Sequence, residues 1–464
     1  MLGLFGTLDM ASRSLSAQQE ASAVAGQNMA NVNNPAYARE SVVIQTAPPL
    51  DTPAGEEGTG ANAVSITEVR DSLLDQQIQS ENSATGSYAA QQTALQDAES
   101  YLGEQITNTS NSAGSANGLA AKLNTLFNSF SSLTTSAGNP GSVVQSAQEV
   151  ATQFNQDSSS LQQINANLNS SIQKDVNASN QDLTDIAALN QQIMVAQGGG
   201  GTANDLVDER QQKIEDLAGK LNITTAAQSN GSINISIGNV AMVSGGSTVD
   251  SLQTYDAGGG QLGVEDSVGA TPLAVTGGSI GGNMTVRDGA LATLQSGLDT
   301  LASQLITQVN TIYSAGYNSS GATGQNFFTG SNSGNIAVNS ALVADPSQFQ
   351  TSSTAGAGGD TGIALALAQL GTQPNAALGN QSISGNYAQI VSNLGTAINS
   401  ATDQLNTSQA ISASMTNQRS SESGVSIDTE MTNLMQFQKA YEASAQLVTT
   451  VNQMMETLIS MKTV

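Results

Sequence analysis

Five acidic side chains crowd one short stretch of the chain, and paired carboxylates are groups with which enzymes do general acid–base chemistry. The stretch NDLVDERQQKIEDLAGKL begins at Asn204, a good helix N-cap, and spreads its acids over about three helical turns. It fits either a secreted hydrolase that acts on wall glycans or a solvated helix face. We favour the solvated face for these acids, which are Asp205, Asp208, Glu209, Glu215 and Asp216.

A serine offers a second candidate for chemistry. The segment GGSIG, residues 277–281, has the spelling of a nucleophile elbow around Ser279. That motif needs a strand-to-helix turn and a histidine base. Because the chain has no His and no Cys, Ser/His/Asp and Cys/His catalysis are excluded and zinc lacks its usual ligands. We therefore predict a glycine-rich loop at Ser279, and no catalytic residue, metal or cofactor.

Composition restricts the partners and the kind of core. Of the 464 residues only 11% are charged and 3% aromatic, which favours paired helices with narrow apolar seams. The net charge of −25 and the scattered Lys and Arg argue against nucleic acid or membrane as a partner. The N-terminal residues lack the pattern of a cleaved secretory leader, and no apolar run is long enough to span a membrane.

Both ends of the chain have the periodicity of long amphipathic helices. Apolar or small residues recur at steps of three and four in the first thirty or so residues and in the last forty or so. A narrow seam buries little apolar area, so burial offsets only part of the conformational entropy that the backbone loses when these helices form. We therefore expect both ends to be marginal in a free monomer. The seam residues are Leu4, Leu8, Leu15, Met29, Val32, Leu434, Phe437, Tyr441, Val448, Val451, Met455 and Leu458.

The middle of the chain is helical with one β-rich insertion. Alternation at Ile233, Ile235 and Ile237, with Asn230-Gly231 and Gly238-Asn239 as two-residue hairpin turns, predicts a small antiparallel β-domain. Residues 316–380 are expected to be loop and short strand, with a helix at 362–370. The other helices are expected near residues 69–105, 119–133, 143–197, from 204 onward, 291–312 and 387–405.

The fold class is therefore mainly α, with long terminal helices in a coiled coil, an elongated helical-bundle body and a small inserted β-domain. Because the insertion splits the set of helices, those of the first third must pack with those of the last third, with both termini at one end. The predicted domains are 1–45 with 424–464 for the terminal helices, 46–222 with 285–423 for the body, and 223–284 for the insert. The body includes an irregular β and loop segment at about 316–382.

The end of the first helix carries a recognisable motif. The stretch GQNMANVNNPAYARE resembles the N-terminal signature A-N-x-N-T-P-G-Y-x-R of bacterial flagellar axial proteins, which form the rod, the hook and the hook-associated segments. The matching positions are Asn31, Asn33, Pro35, Tyr37 and Arg39, while Asn34 and Ala36 depart from the signature. Pro35 forces the preceding residue away from helical angles, so the stretch should be a bend that leads into an extended segment.

Three further blocks make the resemblance more specific. The stretches from Asp205 to Gly245 and from Gly277 to Phe328 are similar to the hook-associated protein 1 family, the family of the first hook–filament junction. The stretch from Ser423 to Met461 resembles the axial C-terminal signature. The alternative within the axial proteins is the second junction protein or a flagellin-like subunit, against which the block from Asp205 argues.

The resemblance implies a structural protein that assembles by itself through its terminal helices, as an inner-tube domain. It implies a ring of about eleven subunits, with hook protein on one side and the second junction protein and flagellin on the other. It further implies type III export without a cleaved signal peptide, an export chaperone on the terminal region, and an extracellular location in the flagellum. The seam residues above would then pack against neighbouring subunits.

Overall fold

The structure is a computed structural model that describes residues 3–34, 36–52, 55–103, 118–135, 139–357 and 359–462. Long helices dominate these residues, which confirms the mainly-α prediction. A π-helical segment, Val286–Leu291, directly precedes α7. The helices are α1 (Leu4–Ala30), α2 (Ser72–Leu102), α3 (Leu119–Ser132), α4 (Pro140–Gly198), α5 (Asn204–Ala218), α6 (Gly278–Thr285), α7 (Ala292–Tyr313), α8 (Ser340–Ala344), α9 (Gly362–Gln369), α10 (Ile383–Ser423) and α11 (Ile427–Lys462).

Short antiparallel pairings account for the strands. β5 to β8 form one four-stranded sheet in chain order, and β9 pairs with β10 beside it. Further two-stranded pairs are β1 with β4, β2 with β3, and β11 with β12. The strands are β1 (Glu40–Thr46), β2 (Leu50–Thr52), β3 (Gly55–Glu57), β4 (Ala61–Glu68), β5 (Thr224–Ala227), β6 (Ile233–Ile237), β7 (Val240–Ser244), β8 (Ser247–Thr248), β9 (Leu252–Asp256), β10 (Leu262–Asp266), β11 (Phe328–Thr329) and β12 (Ala337–Val338).

Helix α4 is the longest element described, and it crosses two cores. Asn139 accepts the Gly141 N–H at 2.9 Å and Pro140 occupies the first turn, so the start of the helix is well capped. At 1.5 Å per residue its 59 residues span about 90 Å. Its first half packs with α2, α3 and α7, and its second half packs with α5, α6 and the strands β6 to β10.

Asparagines of α4 fasten the β-rich insertion to the helical body. Asn180 exchanges two hydrogen bonds of 2.8 Å with the backbone of Leu252 in β9. Asn190, fully buried, donates to the carbonyls of Ile233 and Gly245 and accepts the Ile233 N–H. These side chains saturate backbone groups that would otherwise lack partners, so the insert and α4 hold one orientation.

Three local expectations need correction. Gly238-Asn239 is a two-residue turn between β6 and β7, but Asn230-Gly231 lies within a longer connection, residues 228–232, in which Asn230 accepts the Ser232 N–H. The strands β1 to β4, within residues 40–68, are absent from the sequence prediction because their apolar alternation is weak. Helix α6 occupies the end of the segment expected to be β-rich.

The chain goes out and returns, as the order of its elements predicted. Helix α1 packs along α11, and α2 packs along α10. The Ser14 and Ser444 hydroxyls are 3.0 Å apart while Val24 and Asn433 line one recess, so α1 and α11 run antiparallel. The domain boundary predicted at residue 45 falls inside β1, whose partner β4 lies beyond it. The division into three domains stays a prediction.

Candidate assembly surface

Helix α11 covers α1 with one face and leaves large apolar side chains on its other faces. Val451 is the only apolar residue of α11 that is fully buried among those described. On α1 the buried positions are mostly alanines, so the two helices approach closely but bury little area. Phe5 on α1 is 77% exposed, and Met435 and Met461 on α11 are 58% and 74% exposed.

The exposed apolar residues of α11 follow helical spacing. Ile427, Met431 and Met435 recur every four residues and share one face. Towards the C-terminus a second set recurs at steps of seven, four and three: Leu447, Met454, Leu458 and Met461. The two sets lie at opposite ends of α11 and on different faces of the helix, and exposed apolar residues grouped in this way are typical of an interaction site.

The residues predicted to pack against other subunits divide into three groups. Val451 is buried against α1, and Tyr441 and Leu458 are exposed. The other nine are half-buried, so each side chain is partly covered by the protein and partly exposed to solvent. Those nine are Leu4, Leu8, Leu15, Met29, Val32, Leu434, Phe437, Val448 and Met455.

The axial-family motif builds the bend between α1 and β1. Asn31 and Asn33 lie in the turn that ends α1, whereas Pro35 lies outside the described residues. Tyr37, 7% exposed, donates its hydroxyl to Asn28 Oδ1 at 2.8 Å, and that same oxygen accepts the Glu40 N–H at 3.0 Å. Arg39 joins two other segments through its backbone, since its N–H donates to Ser423 O and its carbonyl accepts from Val69 N.

A cluster of ion pairs lies under this bend, and we call it the Arg70 joint. The Arg70 guanidinium pairs with Glu68 at 3.3 Å, with Asp75 at 3.0 Å, and with Asp208 of α5. It also donates to the Ala36 carbonyl at 3.2 Å, while Asp208 accepts the Ala38 N–H at 3.3 Å. The segment after α1 is thereby fixed to β4, α2 and α5 at once.

The Arg70 joint continues into the last helices. Arg419 of α10 pairs with Glu215 at 2.5 Å and reaches Asp75 at 3.7 Å. Gln27 at the end of α1 donates to Asp205 at 3.0 Å, and Asn204 donates to Glu40 at 2.7 Å. The joint therefore sets the direction in which the α1–α11 pair leaves the body.

Burial shifts the titration of the groups in the joint. Burial raises the pKa of Asp208 to about 7, although the nearby Arg70 opposes the shift. Burial also raises the pKa of Glu68, with Arg70 again opposing. Burial alone would lower the pKa of Arg70, but the carboxylates of Glu68, Asp75 and Asp208 outweigh it and raise that pKa. The hydroxyl of Tyr37 has a strongly raised pKa, first through burial and then through Glu40.

Two interpretations of the candidate chemistry need correction. The solvated-face interpretation holds for Asp205, Glu209 and Asp216, which are exposed, but it is wrong for Asp208 and Glu215, which are enclosed in ion pairs. No neighbouring residue in the sequence indicates these ion pairs, because the partners, Arg70 and Arg419, are far away along the chain.

Ser279 lies in the first turn of α6, so the predicted loop is wrong at that position. Its hydroxyl donates to Asp175 Oδ2 at 2.5 Å. That contact gives the side chain a structural partner. Within the described residues there is no group of three or more Asp, Glu, His or Cys that could hold a metal ion. None of the described helices has the length and apolarity to cross a membrane.

Comparisons with known proteins agree with this arrangement. A family model described as the flagellar hook-associated protein FlgK helical domain matches residues 103–328. A second model, the flagellar basal body rod FlgEFG protein C-terminal, matches residues 416–461, which include α11. The two matches therefore include α3 to α7, the β-rich insertion and nearly all of α11.

Full-length relatives are similar along the whole chain. Flagellar hook-associated protein 1 of Bacillus subtilis is 28% identical, over 99% of this chain and 99% of its own length. The protein of the same name from Escherichia coli is 22% identical, over 97% of this chain and 98% of its own. The solved structure of the flagellar hook junction protein FlgK from Burkholderia pseudomallei shares the fold, with a TM-score of 0.62 at 16% identity over 75% of this chain and all of that one.

Proposed function

Because this chain belongs to the family of flagellar hook-associated protein 1, we propose that it is a structural protein of the bacterial flagellum which joins the hook to the filament. The family is a structural one. The observation that supports this role most directly is the set of exposed apolar residues of α11 between Ile427 and Met461, which no described residue covers. A surface of that kind is removed from water when copies associate.

Assembly proceeds through the terminal helices. Each copy packs α1 and α11 against those of its neighbours by heterologous contacts, which propagate along a screw axis instead of closing into a dimer. The seam residues from Leu4 to Val32 and from Leu434 to Leu458 carry this packing together with the exposed methionines. In this proposal residues 1–45 with 424–464 form the inner-tube domain, the body spaces the subunits, and the insert 223–284 faces outward.

The proposal also includes the adjacent proteins in the flagellum and the route by which the chain is exported. The copies form a ring of about eleven, with hook protein on one side and the second junction protein and flagellin on the other. The chain reaches this extracellular position by type III export, without a cleaved signal peptide, and an export chaperone holds its terminal region beforehand. The net charge of −25 at pH 7 makes free copies repel one another before they assemble.

Deletion of the gene tests the role. We expect cells without the protein to keep their hooks, to lack filaments and to release unassembled flagellin into the medium, as seen by electron microscopy and by blotting of the supernatant. Complementation with the intact gene is the control. Filaments that remain attached to hooks in the deletion strain would contradict the proposed function.

A further inference from the structure

The exposed methionines of the described chain are confined to α11. The sequence contains twelve methionines, and of those described only four are more than half exposed. They are Met431, Met435, Met454 and Met461, at 51%, 58%, 53% and 74% exposure. Met242, in the core of the β-rich insertion, is fully buried. One helix therefore carries the described methionines that are most open to reagents in solution.

These four methionines belong to the two sets of exposed apolar residues on α11. Met431 and Met435 are four residues apart, one turn of the helix, and follow Ile427 on the same face. Met454 and Met461 are seven residues apart, two turns of the helix, and share a face near its C-terminal end. A reagent that modifies exposed methionine therefore changes both sets at once.

The thioether sulfur is the reactive group of these side chains. The chain has no cysteine, so methionine supplies its only sulfur atoms. Hydrogen peroxide oxidises a thioether to a sulfoxide: the sulfur lone pair attacks one peroxide oxygen, the O–O bond breaks and an S–O bond forms. The remaining hydroxide takes up the released proton and leaves as water, so the sulfur loses the two electrons that the peroxide gains. Exposed methionines react before buried ones, and sulfoxide reductases reverse the change.

The sulfoxide affects association more than it affects the folded chain. In a free copy the four side chains lie in water, which satisfies the new polar oxygen. When a neighbouring protein covers α11, that oxygen leaves water and an apolar contact offers it no hydrogen-bond donor. The leucine and isoleucine side chains of the same two sets have no sulfur to oxidise. Sensitivity to peroxide is therefore a property of the methionines alone.

We propose that Met431, Met435, Met454 and Met461 are an oxidation site at which peroxide converts a copy that can assemble into a stable copy that cannot. The inference rests on the proposed function, since it requires that neighbouring proteins cover α11 in the flagellum. It holds for any neighbour that buries these side chains. The modification acts before assembly, because a covered thioether is no longer accessible to the oxidant.

The test measures how purified full-length protein binds to hooks isolated from the deletion strain, before and after oxidation. Peroxide is added until the intact mass has gained one oxygen for each of the four exposed methionines. Peptide mapping should then find sulfoxide at these four positions and an unmodified Met242, with an unchanged melting temperature. The amount of protein that sediments with the hooks should fall at least about tenfold, because several polar groups would be buried without partners.

Repair of the oxidised protein is the first control. Methionine sulfoxide reductases A and B each reduce one epimer of the sulfoxide, so the two enzymes together return the thioether. Treatment of the oxidised protein with both should restore its binding to the hooks. Loss of binding that repair does not reverse would show damage elsewhere and would overturn the inference.

Leucine variants locate the effect. M431L/M435L/M454L/M461L keeps apolar side chains of similar volume but has no sulfur at these positions, so the ratio of its binding after and before peroxide should stay near one. M194L/M415L changes two half-buried methionines outside α11 and is the matched control, in which that ratio should fall as in the parent.

Three further outcomes would count against the inference. Oxidised parent that binds as well as untreated parent would overturn it and leave the proposed function standing. Sulfoxide that forms at Met242 ahead of the methionines of α11 would overturn it too. Failure of the untreated protein to bind the hooks would overturn both the inference and the proposed function.

Discussion

At the scale of single residues, Arg70 connects four separate segments of the chain. It contacts the bend after α1 through Ala36 and neutralises carboxylates on β4, α2 and α5. A cation surrounded in this way keeps several anions in a small volume, and its loss would leave them uncompensated. The geometry of the terminal helices relative to the body therefore depends on a few charges.

Asp208 makes this joint sensitive to pH. Its pKa is about 7 in the folded protein against an ordinary 3.8, so the native state holds a proton there over a range in which the unfolded chain has lost it. Its contribution to stability is complete below pH 4 and is lost as the pH rises through 7. The advantage of the parent over Asp208→Asn should fall across that range by up to about 4 kcal/mol.

Calorimetry of the two proteins at pH 4.5 and at pH 8 measures the difference. Asp216→Asn removes an exposed acid of the same helix and is the control, whose difference from the parent should change little. A parent that gains stability relative to Asp208→Asn as the pH rises would show that Arg70 outweighs burial at this carboxyl.

At the scale of elements, α11 has one face that contacts α1 and other faces that carry exposed apolar residues. One face lies on the alanines of α1, and the exposed apolar residues on the other faces have no cover within the described chain. A helix pair with so little buried area gains most of its stability from whatever packs on its outside.

Phe437→Asp tests the seam between the helices. Phe437 is half-buried, and a carboxylate there would be desolvated when copies assemble. We expect a soluble protein with a normally folded body, judged by circular dichroism, that is exported but does not join the flagellum. Gln438→Asp adds the same charge at an exposed position and should assemble. Normal assembly of Phe437→Asp would show that the seam at Phe437 does not contribute to packing between copies.

Asn190→Ala tests the attachment of the insert. Asn190 holds β6, the turn after β7 and Arg210 simultaneously, and its removal leaves buried backbone groups without partners. We expect the insert to lose on the order of 2 to 4 kcal/mol, seen as faster amide exchange in β5 to β8. Asn177→Ala, an exposed residue on the same helix, should have almost no effect. Equal exchange in both variants would contradict the role of Asn190.

At the scale of the whole molecule, two cores are threaded by α4 while the termini lie outside both. We predict that in dilute monomer the amides of α1 and α11 exchange quickly and those of α4 and α7 slowly, and that assembly protects the termini. Hydrogen exchange with mass spectrometry at several concentrations measures this. Termini that are protected in the monomer at every concentration would contradict the expected coupling of folding to assembly.

Local patterns in the sequence were sufficient to predict the helices and the family, and the seam that they indicate stays a prediction. Helical periodicity, the glycine run after α4 and the turn at Gly238-Asn239 are signals read within a few residues, because they reflect backbone geometry and the choice of a buried face. The same local reading placed α2 and α9 within a few residues of their observed bounds.

The Arg70 joint, the strands of residues 40–68 and the identity of the uncovered apolar residues follow from tertiary contacts. Asp208 and Arg70 are 138 positions apart, and Glu215 and Arg419 are 204 apart. No local pattern indicates which acid of a helix turns inward to meet a distant arginine. An ion pair depends on where two elements meet, and that is set by the packing of the entire chain.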